Sequence, residues 1–343
     1  MKIIRITLAL ILCHITGTDI LAQRAGVANI FRDEETLPIR LSISMKEVKK
    51  SMSDSTYFPT VLHYGNPDGT FDSIRIGIRA RGNFRRRHCF FPPLRIKIKK
   101  EDAAGTLFAG TKNLKLVMPC QVAKNYKDLL LKEYVCYKLY EPITPYAFST
   151  RMVNITLTDE GGKSSKTYEV TGFLIEDDDA LARRLDASVI EQAKLSPMYL
   201  QDTSAVRHDL FQYMIGNTDF STTFLHNAKV IQTRTDQKIP IPYDFDMAGF
   251  VNAPYATFDE SLGIRSVRER IYKGFCRNEM VTEFVRQEYI NLESAINEVI
   301  NHHESLFDPK EFEGVKKYMN AFFVVVKDDG YYKLNITQKC RER

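Results

Sequence analysis

Apolar and polar residues alternate with a period of two in three stretches of the first half of the chain. Ile74, Ile76, Ile78 and Ala80 alternate with Arg75, Gly77, Arg79 and Arg81; Leu94, Ile96 and Ile98 with Arg95, Lys97 and Lys99; and Val153, Ile155 and Leu157 with Asn154 and Thr156. This spacing puts one set of side chains on each face of a strand, so it predicts half-buried strands with one basic face. Leu114 to Val117 and Tyr168 to Ile175 predict two more strands. One helix interrupts them, KDLLLKEYVCYKLY from Lys127 to Tyr140, stopping ahead of Pro142 and Pro145.

Helical spacing takes over in the second half, in AVRHDLFQYMIGN, from about Glu279 to Leu306, and from about Pro309 to Val326. Tyr331 to Ile336 reads as a final strand, and AKVIQTRTDQKIPIPY as two short strands around a polar turn at Thr235 and Asp236. No repeat or low-complexity linker is present, and the character changes once, near residues 176 to 205. The pattern predicts an α+β chain with a β-rich N-terminal lobe carrying one helix, residues 24–176, and a larger, mainly helical C-terminal lobe, residues 177–343.

Residues 1–23 follow another pattern. Lys2 and Arg5 precede an apolar run from Ile6 to Ile15, and small Ala22 comes just before Gln23, the layout of a secretory signal peptide. The run is shorter than the roughly 20 residues of a spanning helix, and no later stretch is long and apolar enough to span. Leu12 ahead of Cys13 is too bulky for a lipoprotein cleavage site. The expectation is a soluble protein, secreted or periplasmic.

Composition changes this picture little. With 343 residues, 44% hydrophobic and 27% charged, the chain is long enough for one large domain or two lobes. The net charge of +5 falls to +4 without Lys2, Arg5 and Asp19, too mild to point to nucleic acid. Cysteines 89, 120, 136, 276 and 340 remain after cleavage with no C-x-x-C pair, which argues against zinc; one or two disulfides suit the compartment, and their pairing stays open.

Chemistry enters through carboxylates in apolar surroundings. On the predicted helix Glu133 shares its face with Leu129, Cys136, Tyr137 and Tyr140, so a cation must meet it. In the second half, GNTDFSTTFLHN (216–227) and IPIPYDFD (239–246) bring Asp219, Asn227, Asp244 and Asp246 into one region. A two-residue loop at 235–236 would put Asn227 opposite Asp244, an oxygen pair suited to Mg²⁺ or Mn²⁺ completed by water and phosphates. Singly, such residues more often cap turns; as a set beside Tyr243, Phe245 and Phe250 they call for a cation.

A basic strand, a helix with one inward Glu, strands ending in GFLIEDDD at Glu176 and beyond, then a base Asp219, a metal-binding Asn227 and a metal-binding Asp244 is the order of parts used by protein kinases. In that logic a lysine holds the nucleotide phosphates and meets Glu133. Segment order favours Lys115. Two departures make any such kinase atypical: no G-x-G-x-x-G precedes the strands, and Asp219 is further from Asn227 than in H-R-D-x-x-x-x-N.

At these residues the chain resembles the CotH family, the spore-coat-protein-H-like atypical kinases. RARGNFRRR (79–87), LRIKIKK (94–100), GNTDFSTTFLHN and PYDFD (242–246) look like four of that family's segments, in its order, over roughly residues 70 to 250. The resemblance implies an atypical protein-kinase-like two-lobe fold that transfers the γ-phosphoryl group of ATP to a Ser or Thr hydroxyl of a protein substrate. It implies Asp219 as catalytic base, Asn227, Asp244 and Asp246 as metal ligands, and Arg81, Gly82 and Asn83 as a phosphate-facing turn. It favours Lys97 over Lys115 at the phosphates; the kinase order of parts places Glu133 and Glu176 with the nucleotide-binding residues. Tyr243 stands where the family has Trp, and HCFFPP (88–93) is an insert.

ATP is scarce outside the cytoplasm, which motivates a second reading: an inactive, secreted binding or surface-interaction protein on a kinase-like scaffold with a structural divalent ion. A metal-dependent hydrolase is a third, weakened because no His joins the carboxylates at ligand spacing. The run Arg85, Arg86, Arg87 is either a phosphate contact or a solvated turn. His226 reads as a surface loop residue.

Overall fold

A computed structural model describes residues 26–51, 55–82, 84–162, 164–192 and 194–342. The expected signal peptide, residues 1–23, and Asn83 lie outside these described residues.

Seven strands close into a barrel: β1 (Leu37–Ile43), β2 (Phe58–Gly65), β3 (Phe71–Ala80), β4 (Leu94–Ile98), β5 (Asn113–Val117), β6 (Thr150–Asp159) and β7 (Lys166–Glu176), joined in the order β1-β2-β3-β4-β5-β7-β6. Neighbours run antiparallel except at the closure, where β1 lies parallel to β6 from Leu37 opposite Val153 to Ile43 opposite Asp159.

The closed barrel overturns the expected kinase-like two-lobe fold. The five anticipated strands are present, but β1 and β2, which were not anticipated, carry the sheet around until it meets itself. Each has a proline at its second position, Pro38 and Pro59, the residue that most weakens a strand signal. The interior is a packed core: Ile74, Ile76, Ile78, Leu94, Ile96, Ile98, Leu114 and Leu116 are all buried, while the basic residues between them face outward.

The helices are α1 (Met45–Lys50), α2 (Phe84–His88), α3 (Lys100–Ala103), α4 (Asn125–Tyr140), α5 (Asp178–Arg184), α6 (Asp202–Ile215), α7 (Glu279–Asn291), α8 (Glu293–His302), α9 (Pro309–Lys327) and α10 (Asp329–Tyr332). Four of them lie among or just before the barrel strands where one was expected. The predicted amphipathic stretch from Glu279 breaks at Leu292 into α7 and α8. The predicted last strand, Tyr331 to Ile336, is helical, because Asp328 caps the turn by accepting from the Tyr331 N–H at 2.7 Å.

Helix α4 lies at the centre. Every residue from Leu130 to Tyr140 is buried, against Met152, Phe173 and Ile175 of the barrel wall and against the C-terminal helices. Its buried charged residues are therefore paired: Lys132 with Glu311, Lys138 with Glu141, and Glu133 as described below.

A three-stranded sheet, β8 (Ala187–Ile190), β9 (Ala228–Thr233) and β10 (Lys238–Pro242), follows the barrel in the order β10-β9-β8. Disulfides join Cys89 to Cys120 and Cys276 to Cys340, and Cys136 is a buried free thiol in α4. Among the described residues no helix is long and apolar enough to cross a membrane.

Gly216 ends α6 in the left-handed conformation at φ 63°, and a Cβ there would lie 2.1 Å from the Tyr318 hydroxyl. Gly216→Ala is expected to cost roughly 2 to 4 kcal/mol in urea denaturation, one part backbone and one part displaced Tyr318. Gly314→Ala, in the middle of α9 with open space around it, is expected to be neutral or to stabilise by up to about 1 kcal/mol.

Candidate functional site

The hairpin of β9 and β10 places the acidic residues, with a register one residue away from the expected one. Ala228 faces Pro242, and the Tyr243 N–H donates to the Asn227 carbonyl at 3.1 Å, so Asn227 lies opposite Tyr243 and not Asp244. The loop has three residues, 234 to 236, closed by the Thr233 N–H on Gln237 and turned by Asp236 at φ 61°. Asn227 and Asp244 both take left-handed backbone, at φ 48° and 62°. Asn and Asp adopt it more readily than other residues with a Cβ, at a cost of order 1 kcal/mol, and such outliers concentrate at functional sites.

Helix α4 fixes the segment that follows β10. Phe245 is fully buried against Tyr137 and Phe211, with ring centroids 4.7 and 5.6 Å away. The Asp244 N–H donates to the Tyr137 hydroxyl at 3.0 Å. One turn earlier on the same face, Glu133 accepts from Arg85 at 3.0 Å, and the same guanidinium nitrogen is 3.8 Å from Asp246. Arg85 also donates to the Met118 carbonyl at 2.9 Å, and the Cys89–Cys120 disulfide ties α2 to that segment. The cation that Glu133 requires is thus Arg85; neither Lys97 nor Lys115 meets it.

The acids share more negative charge than Arg85 offsets. Burial pushes Asp246 up to about 6, with Asp244 and Asp219 adding repulsion against the pull of Arg85. Burial also pushes Glu133 up, with Arg85 opposing and Asp246 and Asp244 adding. Arg85 stays fully charged, because the facing carboxylates outweigh its own burial.

Asp219 is held at nearly every polar atom. Its N–H donates to Asn217 Oδ1 at 3.0 Å, and Asn227 Nδ2 donates to its carbonyl at 2.8 Å and to its Oδ2 at 2.9 Å. His226 Nε2 is 3.0 Å from Oδ1. With its amide nitrogen spent on Asp219, Asn227 presents its carbonyl oxygen for a further partner.

A row of cations runs across the barrel wall, with Lys115 near the Tyr243 ring beside Asp244. Arg79, Arg95 and Lys115 pair directly across β3, β4 and β5 on the barrel's outer face. Like charges in register repel, and the segment after Glu176 answers them: Asp177 accepts from Arg95 at 2.6 Å, and Asp178 joins Lys115 and Lys229. Burial alone would raise Asp178, but Lys115 and Lys229 hold it well below the usual carboxylate range. Lys115 is buried, with its ammonium 4.8 Å from the Phe148 ring and 5.3 Å from that of Tyr243, and burial lowers its pKa against the pull of Asp178.

The other expected residues divide. Arg81 lies close enough for its charge to act on Lys115, Tyr137 and Tyr243, next to Gly82 at φ 76°. Lys97 is exposed, 5.4 Å from the Tyr57 ring, and the buried Glu176 carboxylate is taken up by Arg184 and the Ser149 N–H. Of the arginine run, Arg85 serves Glu133, Arg87 is exposed, and Arg86, 8% exposed, makes no hydrogen bond or ion pair with a described residue. Arg85, Asp178, Lys229 and Tyr255, which acts to lower the Asp246 pKa, were not singled out for these roles from the sequence. RARGNFRRR and GFLIEDDD contained the first two, and only the fold reveals their partners.

Among the described residues no group of three or more His, Cys, Asp and Glu side chains is placed to hold a metal ion. Two carboxylates and one amide oxygen with surplus negative charge nevertheless suit a hard cation that takes its remaining ligands from water and phosphate. The chain matches no protein-family model, no curated protein and no solved structure.

Two outcomes test this electrostatics. Arg85→Met is expected to destabilise by ~3 to 5 kcal/mol by stranding Glu133, and Arg85→Met with Glu133→Leu to recover most of the loss in a double-mutant cycle. Asp246 has its folded pKa raised from an unfolded value of ~3.9 to about 6, so its contribution is complete below pH ~4 and disappears as pH rises through 6. Between pH 4 and 7, without divalent ions, the Tm of the wild type is expected to fall relative to that of Asp246→Asn.

Proposed function

We propose that the protein is a metal-dependent phosphotransferase that moves the γ-phosphoryl group of ATP to a protein hydroxyl, acting outside the cytoplasm. The observation that carries the reading is the cluster of Asp219, Asn227, Asp244 and Asp246 at the hairpin base, with its excess negative charge. The resemblance of four segments to CotH-like kinases supports the reaction class and the Ser or Thr acceptor, and two disulfides are compatible with secretion.

The amide oxygen of Asn227 and the carboxylates of Asp244 and Asp246 would hold Mg²⁺ or Mn²⁺, whose chemistry is to offset charge on the phosphates. Asp219 accepts the proton of the attacking hydroxyl. Its two oxygens each use one lone pair on Asn227 and His226, leaving capacity for that proton and fixing the plane in which it is received. Arg81 and Arg86 supply guanidinium donors to phosphate oxygens, and Lys115 reaches them once Asp178 yields.

A second reading has one observation in its favour: Lys115 is already neutralised by Asp178 and Glu133 by Arg85. A binding protein with a structural divalent ion would keep both pairs intact.

On the mature chain, from about residue 24, ATP is expected to raise Tm only when Mg²⁺ or Mn²⁺ is present. Asp244→Ala is expected to lose that metal-dependent shift. Asp219→Ala is expected to lower transfer by ~10² or more while leaving nucleotide affinity within a few-fold. Equal phosphorylation by wild type and Asp219→Ala rejects the base role; stabilisation by metal alone, with no gain from any nucleotide, favours the binding protein.

A further inference from the structure

The segment VRERIYKGF, residues 267–275, crosses the loop that carries Asp219 and applies three cations to backbone carbonyls. Arg268 donates to the Gly249 carbonyl at 3.4 Å, Arg270 to that of Met214 at 3.1 Å, and Lys273 to those of Thr218 at 2.5 Å and Phe220 at 3.3 Å. The two acceptors of Lys273 are the residues on either side of Asp219. Asn227 holds the carbonyl between them, so three consecutive carbonyls, 218 to 220, are fixed by side chains.

Lys273 makes no ion pair within 4 Å among the described residues. Its ammonium is partly buried 5.0 Å from the Phe220 ring, and burial lowers its pKa. Partial burial of a long cation with carbonyls as its hydrogen-bond acceptors costs desolvation that a surface lysine avoids. What the arrangement achieves is orientation: the peptide plane before Asp219 is set by Lys273, the plane after it by Asn227, and the next again by Lys273.

We propose that Lys273 is a positioning residue for the transfer reaction, locking the backbone so that the Asp219 carboxylate faces the acceptor hydroxyl. The inference rests on the phosphotransferase reading for its catalytic consequence and on the carbonyl contacts alone for its structural one. Displacing a reacting group by about 1 Å can cost ~10²-fold in rate.

The test uses the mature chain with MgATP, following autophosphorylation and ATP turnover, beside amide hydrogen exchange at residues 218–221. Lys273→Met is expected to lower the rate 10- to 100-fold with the KM for MgATP within twofold, and to speed exchange at 218–221. Lys273→Arg, which keeps a cation for the carbonyls, is expected to restore both. Adding Lys273→Met to Asp219→Ala should lower the rate no further, since the lysine acts through that carboxylate. Unchanged exchange in Lys273→Met overturns the inference whatever the activity. So does a rate loss matched by a rise in KM, or one that Lys273→Arg does not relieve. If the wild type itself transfers nothing, the phosphotransferase reading fails, while the exchange arm still decides whether Lys273 holds the loop.

Discussion

A carboxylate in the middle of a helix buried on every side must be neutralised, and the architecture around the acidic site follows from how Glu133 achieves this. Arg85 is the partner, and to reach Glu133 it must leave the barrel rim on a short helix held by the Met118 carbonyl and the Cys89–Cys120 disulfide. That guanidinium also approaches Asp246, while Tyr137, one turn along the same helix face, holds the backbone of Asp244. Two positions on α4 thereby set both acids of the PYDFD segment, and Phe245 between them anchors the segment in the core.

Electrostatic tension is distributed unevenly about this anchor. On the hairpin side, Asp219, Asp244 and Asp246 repel one another across partly dry space. On the barrel side, a cross-strand row of Arg79, Arg95 and Lys115 is balanced by Asp177 and Asp178. The left-handed backbone at Asn227 and Asp244 adds conformational cost at the same place. A fold selected for stability alone would relieve one or the other.

Local patterns were legible where a single element decides them. The alternating isoleucines of β3 and β4, the helix through Glu133 and the two arms of the hairpin all lie where their spacing put them. What the pattern did not reveal was pairing between distant strands. Pro38 and Pro59 masked β1 and β2, and the closure of β1 on β6 joins residues more than one hundred positions apart, which no local period encodes. The site shows the same division. The need of Glu133 for a cation follows from its apolar face, but the choice of Arg85 over the two candidate lysines depends on a disulfide and a helix of five residues. The hairpin register missed by one because a three-residue loop with left-handed Asp236 replaced the simplest two-residue turn.

The Cys276–Cys340 disulfide bears on when the molecule matures. Arg341 donates to the Gly274 carbonyl at 2.8 Å and accepts from the Cys276 N–H at 3.0 Å, so the stretch beginning at Lys273 is stitched to residues more than sixty positions downstream. During synthesis the barrel and the central helix can form long before those residues emerge from the ribosome. The Asp219 loop, held by Lys273 at the carbonyls of Thr218 and Phe220, would then settle only once residues 340 and 341 have emerged and paired.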